Sequence, residues 1–211
     1  MTLLPDYIVW RIDETEDDLR SQLQHPELFA DKVRNLRPGS RRMLEVLAVR
    51  RALKELLGGQ EVEVLYTADG APYLQDHSFG GKPCYISISH TEGYALAVCS
   101  EVPLGADIEH LGKRVERVVS KFLRPEEIAV LQLLDNNYLL SLHLAWCAKE
   151  TASKLLGKEY YDLQNLTTVK FIDWDKKIMS LEAKGLEAPL TVHFDVQAEY
   201  VLTYSCHRQS E

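Results

Sequence analysis

The sequence YLLSLHLAWCAKETASKLLG, residues 138–157, contributes most to the fold prediction for this chain. Its first eleven residues are almost all apolar, which predicts a helix buried in a core. The next turn abruptly carries charges, and Gly157 predicts the end of the helix. An apolar run of eleven residues is too short for a transmembrane helix, which needs about 20.

A second long helix with the same ending precedes this one. It is predicted from Ser40, a plausible N-cap, to residue 57, and Leu-Leu-Gly ends both helices. Predicted strands follow each helix, which indicates an α+β fold of two similar, pseudo-symmetric halves, residues 1–102 and 103–211. Each half would pack a small antiparallel sheet on its long helix, with the active site in the cleft between them. A chance likeness of two ordinary helix–strand modules is the alternative.

Shorter patterns predict the remaining elements. Strands are predicted at residues 7–12, 62–66, 85–89, 94–99, 104–109, 166–172, 178–182, 190–194 and 200–205. Helices are predicted at residues 14–24, 115–122 and 125–134, the first of them polar and exposed. Residues 90–93 are predicted as a hairpin turn.

Composition and charge narrow the classes of function. The chain has 211 residues, 45% of them apolar, which is enough for a packed core and excludes a disordered chain. A net charge of −8 argues against nucleic-acid binding. Residues 32–54 nevertheless hold eight bases and one acid, which indicates a small anionic ligand or simply a solvated helix face.

The cysteines and the N-terminus predict the compartment. None of the four cysteines lies at Cys-x-x-Cys spacing, so free thiols in a reducing cytoplasm are expected. Residues 1–11 show no basic stretch before an apolar run, so no signal peptide is expected. From these two patterns we expect a cytoplasmic protein that does not bind membranes.

Asp107 and Glu109 form the first pattern that could serve catalysis or metal binding. In a strand they would project from the same face, with Ile108 on the other. Two carboxylates side by side repel each other unless a cation lies between them, and oxygen ligands suit Mg²⁺. A solvent-exposed strand edge is the simpler alternative.

Trp146, Glu150 and Lys154 form the second pattern, because their four-residue spacing places them on one helix face. A surface Glu–Lys pair at this spacing would add only about 0.2–0.5 kcal/mol. Here the pair directly follows a buried turn, which favours a carboxylate and an amine directed into a cleft. The third pattern is Ser89-His90 beside a predicted turn, which suits either a phosphate or ordinary turn hydrogen bonding.

Together these motifs resemble the 4′-phosphopantetheinyl transferases, in particular the two-halved, monomeric Sfp type. Residues 105–109 are similar to the family's Gly-x-Asp-Ile-Glu strand, and residues 146–154 to its Trp-x-x-Lys-Glu-x-x-x-Lys helix. Four further matches are Arg41-Arg42, Ser89-His90, Phe122 and Glu127. The motifs occur in the family's order and spacing over most of the chain.

The resemblance implies transfer of phosphopantetheine from coenzyme A to a serine of an apo acyl, polyketide or peptidyl carrier protein, with release of 3′,5′-ADP. It implies Mg²⁺, or Mn²⁺, held by Asp107, Glu109 and Glu150. It implies catalysis by Glu150, which takes the serine proton, and by Lys154, which assists the leaving phosphate. The residues that it implies for coenzyme A are Lys32, Arg41, Arg42, Ser89, His90 and Lys154.

One departure from the family pattern concerns coenzyme A. The family often has Gly-Lys-Pro before the first hairpin, and this chain has Gly70-Ala71-Pro72 there. A later Gly-Lys-Pro, with Lys82, is a possible substitute. Two alternatives to a transferase therefore stay open: another Mg²⁺-dependent phosphoryl enzyme, such as a nuclease or phosphatase, and a non-catalytic scaffold that binds coenzyme A or carrier proteins.

Overall fold

The computed structural model describes residues 5–134 and 137–206, which fall into two compact units. The first unit comprises the described residues up to Leu104 together with Cys206. The second unit is Gly105–Ser205.

The first unit contains seven strands and three α-helices, numbered along the chain. The strands are β1 (Asp6–Arg11), β2 (Leu65–Tyr66), β3 (Pro72–Tyr73), β4 (Ser78–Phe79), β5 (Lys82–Pro83), β6 (Tyr85–Thr91) and β7 (Tyr94–Ser100). The helices are α1 (Glu16–Ser21), α2 (Ala30–Val33) and α3 (Arg41–Leu56). Short 3₁₀-helices lie at Pro26–Phe29 and Gln75–His77.

Helix α3 packs on an antiparallel sheet of order β1-β7-β6. Ser40 is its N-cap, as predicted, and its Oγ accepts a hydrogen bond from Met43 N at 3.2 Å. Leu47 and Leu53 are buried against the sheet. After the helix the chain turns at Gly58, whose φ of +65° is a left-handed conformation that suits glycine.

The turn of the hairpin β6–β7 is shorter than the predicted turn at residues 90–93. The ladder extends to a pair between Thr91 and Tyr94, so the turn consists of Glu92 and Gly93 alone. Gly93 has a φ of +78°, as a tight two-residue turn requires. His90 is therefore a strand residue, and its backbone is held in the sheet.

The described residues of the second unit form five strands and three α-helices, with the first and last strands each extending one residue beyond the unit. The strands are β8 (Leu104–His110), β9 (Thr167–Asp173), β10 (Ile178–Ala183), β11 (Leu190–Val196) and β12 (Tyr200–Cys206). The helices are α4 (Pro125–Leu134), α5 (Tyr138–Leu156) and α6 (Leu163–Leu166). Two 3₁₀-helices lie at Val115–Lys121 and Lys158–Tyr160, the first where an α-helix is predicted.

The core of the second unit lies between α5 and a sheet of order β8-β12-β11-β10-β9. Leu142, Leu144 and Cys147 of α5 are fully buried, as the apolar run in the sequence predicts. On the sheet side, Met179 and Val192 are fully buried. The helix thus supplies a rigid support for the side chains of its last two turns.

The α+β class and the antiparallel sheets beneath long helices are confirmed. Pseudo-symmetry stays a prediction, since one main sheet has three strands and the other five. Helix α1 is shorter than predicted and buries Leu19 completely. The four cysteines are free thiols. Over the described ranges 5–134 and 137–206, no helix is both long and apolar enough to cross a bilayer.

Candidate active site

Strand β8 carries two acidic side chains that both contact helix α5. Lys154 Nζ donates to Asp107 Oδ1 at 2.8 Å, and Trp146 Nε1 donates to Glu109 Oε1 at 2.8 Å. Ile108 between them is fully buried on the other face, because residues two apart in a strand share a face. The structure brings both carboxylates to the helix, as their spacing predicts.

Helix α5 presents Trp146, Glu150 and Lys154 along one side, because they are four residues apart. Asn137 caps its start by accepting a hydrogen bond from the backbone N–H three residues on, at 3.2 Å. Gly157, with a φ of +103°, ends it. Trp146 and Lys154 contact the acids of β8, so Glu150, midway between them, faces the same strand.

Gly105 allows β8 to approach α5 very closely. A Cβ at this position would lie 2.2 Å from Thr151 O and 2.7 Å from Leu155 N, which are backbone atoms of the helix. Neither atom can move without moving the helix. Gly105 therefore sets the separation across which Asp107 and Lys154 meet.

The charge of Asp107 disfavours the ionised forms of Glu109 and Glu150. Burial, and next the charge of Asp107, raises the pKa of Glu109 to about 7, although the hydrogen bond from Trp146 opposes the rise. Burial, and next Asp107, also raises the pKa of Glu150. A cation among these groups would relieve their repulsion, so the cluster has the electrostatics of a cation site.

Lys154 is a cation within this cluster. Its Nζ donates to Ala106 O at 3.1 Å as well as to Asp107. Burial acts to lower the pKa of Lys154, but the attraction of Asp107 and Glu150 outweighs burial, and the pKa lies above its ordinary value. The side chain is 30% exposed, so Lys154 lies partly at the surface.

The donor set fits a magnesium ion that is completed by substrate. Within residues 5–134 and 137–206, no three Asp, Glu, His or Cys side chains converge closely enough to enclose a metal ion. Mg²⁺ commonly takes one or two protein carboxylates and fills its shell with waters and substrate phosphates. One or two of Asp107, Glu109 and Glu150 could take that role, because carboxylate oxygens suit Mg²⁺ and because burial and the charge of Asp107 raise the pKa of the other two.

The first unit carries a basic cluster at the start of α3. Glu45 is buried there and accepts hydrogen bonds from Arg41 Nε at 2.8 Å and Arg42 Nη1 at 3.3 Å. His90 of β6 donates from Nδ1 to Glu45 Oε2 at 3.2 Å, and its Nε2 accepts from Arg42. Glu45, which the sequence pattern does not single out, thus holds three predicted site residues together.

Arg50 extends this cluster and was not predicted as a site residue. It is only 6% exposed, and no described residue forms a hydrogen bond with its Nη1 or Nη2. Burial, followed by the charges of Arg50 and Arg42, lowers the pKa of Lys32, so both guanidinium groups act electrostatically on Lys32. Lys32 Nζ also lies 3.2 Å from the ring centre of Tyr66. A buried guanidinium with open hydrogen-bonding positions beside two further cations is suited to an anion.

Ser89 of the predicted coenzyme A site lies elsewhere, as do Ala71, where the family's lysine is missing, and Lys82, its possible substitute. Ser89 precedes His90 in β6, so its side chain lies on the opposite face of the strand from the basic cluster. Ala71 lies in the turn before β3, where its N–H donates to Thr67 Oγ1 at 3.0 Å. Lys82 is exposed in β5. The basic cluster at α3 is therefore built without Ser89.

Similarity to known proteins is concentrated in the half that carries the acidic cluster. A family model described as the 4'-phosphopantetheinyl transferase superfamily matches residues 103–205. This segment belongs to that superfamily. The recognition made from the two motifs is thereby confirmed at the level of the superfamily, and both motifs lie inside the matched segment.

Curated proteins are also similar to this chain, and one of them is named a 4'-phosphopantetheinyl transferase. Enterobactin synthase component D of Escherichia coli O157:H7 is 29% identical over 125 residues, 58% of this chain and 59% of that protein. The protein of the same name from Shigella flexneri matches equally well. The 4'-phosphopantetheinyl transferase gsp of Aneurinibacillus migulanus is 25% identical over 130 residues, 60% of this chain and 52% of that protein. The chain thus spans little more than half the length of these relatives.

The basic cluster of the first unit precedes the superfamily segment in the chain. Arg41, Arg42, Arg50 and His90 all come before residue 103. Their assignment to a ligand therefore depends on their own geometry and charge.

Proposed function

We propose that this chain transfers 4′-phosphopantetheine from coenzyme A to a serine hydroxyl of an apo carrier protein, releases 3′,5′-ADP and depends on Mg²⁺. The observation that carries the proposal is the cluster of Asp107, Glu109 and Glu150 beside Lys154 within the superfamily segment. Attack on a pyrophosphate needs a site for a cation, a proton acceptor and a positive group for the leaving phosphate. The cluster offers all three.

Asp107, Glu109 and Glu150 would hold the metal ion. Mg²⁺, or Mn²⁺, supplies charge neutralisation at the pyrophosphate of coenzyme A when it is bound. The raised pKa values of Glu109 and Glu150 mean that protons compete with the metal for the same oxygens. Activity should therefore decline as the pH falls below neutrality.

Glu150 takes the serine proton as the hydroxyl oxygen attacks the phosphorus of the phosphopantetheine phosphate. The bond between that phosphorus and the leaving oxygen breaks, and Lys154 stabilises the charge that develops on 3′,5′-ADP. The raised pKa of Glu150 suits this role, because a general base works best when its pKa approaches the working pH.

The anionic end of coenzyme A would bind to basic residues of the first unit, namely Lys32, Arg41, Arg42 and His90. Arg50 joins them in this proposal, because a phosphate supplies the acceptors that its Nη1 and Nη2 lack. Ser89, on the other face of β6, would contact a different part of coenzyme A from His90.

The proposal extends to the two-halved, monomeric Sfp type, with acyl, polyketide or peptidyl carriers as acceptors. A scaffold that binds coenzyme A or carriers without turnover is the second candidate, and Ala71 in place of the family's lysine favours it. The grouping of Asp107, Glu109 and Lys154 favours the enzyme. A nuclease or phosphatase has less support, given the superfamily match.

Intact-mass spectrometry of apo carrier proteins tests the proposal directly. Incubation with this protein, coenzyme A and Mg²⁺ should add one phosphopantetheine unit to at least one carrier of the acyl, polyketide or peptidyl class. The gain should disappear with EDTA and with Glu150→Gln, which removes a charge at nearly constant volume. Glu126→Gln is the matched control, because this glutamate of α4 is 64% exposed and lies outside the cluster.

Two results would contradict the proposal. Turnover by Glu150→Gln at the rate of the unchanged protein would exclude Glu150 as base and ligand. Absence of a mass gain on all three carrier classes, with coenzyme A binding intact by calorimetry, would favour the scaffold.

A further inference from the structure

Lys149 is next to Glu150 in the sequence, yet its ammonium group lies inside the second unit. The residue is 0% exposed. Its Nζ donates to three backbone carbonyl groups, those of Phe122 at 2.7 Å, Leu163 at 3.0 Å and Thr167 at 2.8 Å. It also lies 2.9 Å from Glu127 Oε1. An ammonium group has three hydrogens, so four acceptors leave none for a substrate.

The acceptors belong to different elements on one flank of α5. Phe122 follows the 3₁₀-helix Val115–Lys121, Leu163 is the first residue of α6, and Thr167 is the first residue of β9. Glu127 belongs to α4, and its Oε1 also accepts a hydrogen bond from the N–H of Val169 in β9 at 2.9 Å. One buried ammonium group therefore joins α5 to α4, α6 and β9.

The side chains of the candidate active site leave α5 on the side next to that of Lys149, and Trp146 packs edge-on against Phe122 with the ring centres 5.0 Å apart. Consecutive residues on an α-helix point about 100° apart, so Lys149 and Glu150 face different neighbours. Any rotation of α5 that turned Glu150 away from β8 would also withdraw Lys149 from its buried acceptors.

We infer that Lys149 is a positioning residue whose buried pair with Glu127 fixes the rotation of α5 and so directs Glu150 and Trp146 at β8. Its ammonium group touches neither substrate nor metal. Stability alone does not explain such a pair, because apolar or neutral replacements of buried ion pairs are often equally stable. The catalytic consequence rests on the proposed function, since displacing a reacting group by about 1 Å costs on the order of 10²-fold in rate.

The test is the double substitution Lys149→Met with Glu127→Gln. It removes both buried charges together, retains an acceptor oxygen for the N–H of Val169 and adds an amide N–H near the carbonyls that Lys149 leaves. The control is Lys170→Met with Glu182→Gln, which makes the same changes in a pair 3.1 Å apart that is 46% and 55% exposed.

The primary measurement is the indole N–H resonance of Trp146, which requires neither substrate nor activity. The chain has three tryptophans, so Trp146→Phe assigns the signal. In the double variant we expect this resonance to shift upfield, as the hydrogen bond to Glu109 weakens, and kcat to fall about 10–100-fold with KM for coenzyme A unchanged. The control should change neither.

An unshifted Trp146 resonance in a folded double variant would overturn the positioning role, whatever the activity. A shifted resonance in a protein without transferase activity would support the positioning role and contradict only the proposed function. If the double variant shows no cooperative unfolding, Lys149→Gln with Glu127→Gln replaces it, because it also removes both buried charges and keeps an N–H donor at position 149. A smaller shift in the same direction is then expected, and an unchanged resonance would overturn the inference.

Discussion

Arg50 illustrates at the scale of one residue how a proposed ligand-binding group can lower stability. A buried polar group without a partner costs free energy, and both terminal nitrogens of Arg50 lack hydrogen bonds to any described residue. Methionine fills a similar space without needing partners. We expect Arg50→Met to raise the free energy of unfolding by about 1–3 kcal/mol and to weaken coenzyme A binding. Urea unfolding and calorimetry measure the two effects.

Arg51 provides the matched control for this prediction. Its Nη2 lies 2.9 Å from Glu55 Oε2, and its Nε donates to Gln22 Oε1 at 2.8 Å. Its guanidinium also stacks 4.5 Å from the Trp10 ring centre. Arg51→Met should therefore lose stability and leave coenzyme A affinity unchanged. Equal effects of the two substitutions on affinity would remove Arg50 from the site.

His90 is the second residue whose role a single substitution can isolate. His90→Ala should lower the affinity for coenzyme A by about tenfold or more, since a charge-assisted hydrogen bond contributes about 1.5–3 kcal/mol. Dephospho-coenzyme A, which lacks the 3′-phosphate, should be affected far less. Competition binding with the two ligands measures the difference, and equal losses would place His90 away from the phosphate.

At the scale of elements, the close packing of β8 on α5 depends on a glycine, Gly105, which has no side chain. Gly105→Ala would push a Cβ to 2.2 Å from Thr151 O, so strand and helix must separate. We expect a loss of about 1–3 kcal/mol in unfolding free energy, together with reduced transfer, because Lys154 moves away from Asp107. Gly112→Ala is the control, as nothing lies within 4 Å of its Cβ position. Equal stability of both variants would contradict the argument.

The elements that the sequence predicts well are those with strong local signals. Ser40 and the glycines at 58 and 157 place the ends of α3 and α5 correctly, because caps and left-handed turns are local. Residues 62–66 are predicted as a strand, but only Leu65–Tyr66 pair, since a two-residue strand has no periodicity to detect.

The same reasoning separates the site residues that could be predicted from those that could not. Asp107, Glu109, Glu150 and Lys154 follow from spacings of two and four, which fix a shared face within one element. The burial of Arg50 and Lys149 depends on which other elements pack around them, and no local pattern reports that. In the sequence, Arg50 is one of eight bases in residues 32–54, and no local pattern distinguishes it from the others.

At the scale of the whole molecule, the titration of buried groups makes stability depend on pH in two opposing ways. Burial lowers the pKa of His143 and of His193, so the folded state binds fewer protons than the unfolded chain below the ordinary histidine pKa. These two groups make stability rise with pH in that range. Glu109 acts in the opposite direction, because its folded pKa is raised.

Glu109 retains its proton in the folded state between the unfolded pKa of 4.5 and about 7, whereas the unfolded chain releases it. Its contribution to stability is therefore complete below pH 4.5 and is lost as the pH rises through about 7. In metal-free buffer, we expect Glu109→Gln to become progressively more stable relative to the unchanged protein across that window. The unfolding free energies of the two proteins are measured with urea at each pH. Both proteins contain the two histidines, so the contributions of the histidines cancel in the difference. If this difference stayed constant with pH, the pKa of Glu109 would be the same in the folded and unfolded states. Neither burial nor the charge of Asp107 would then raise it.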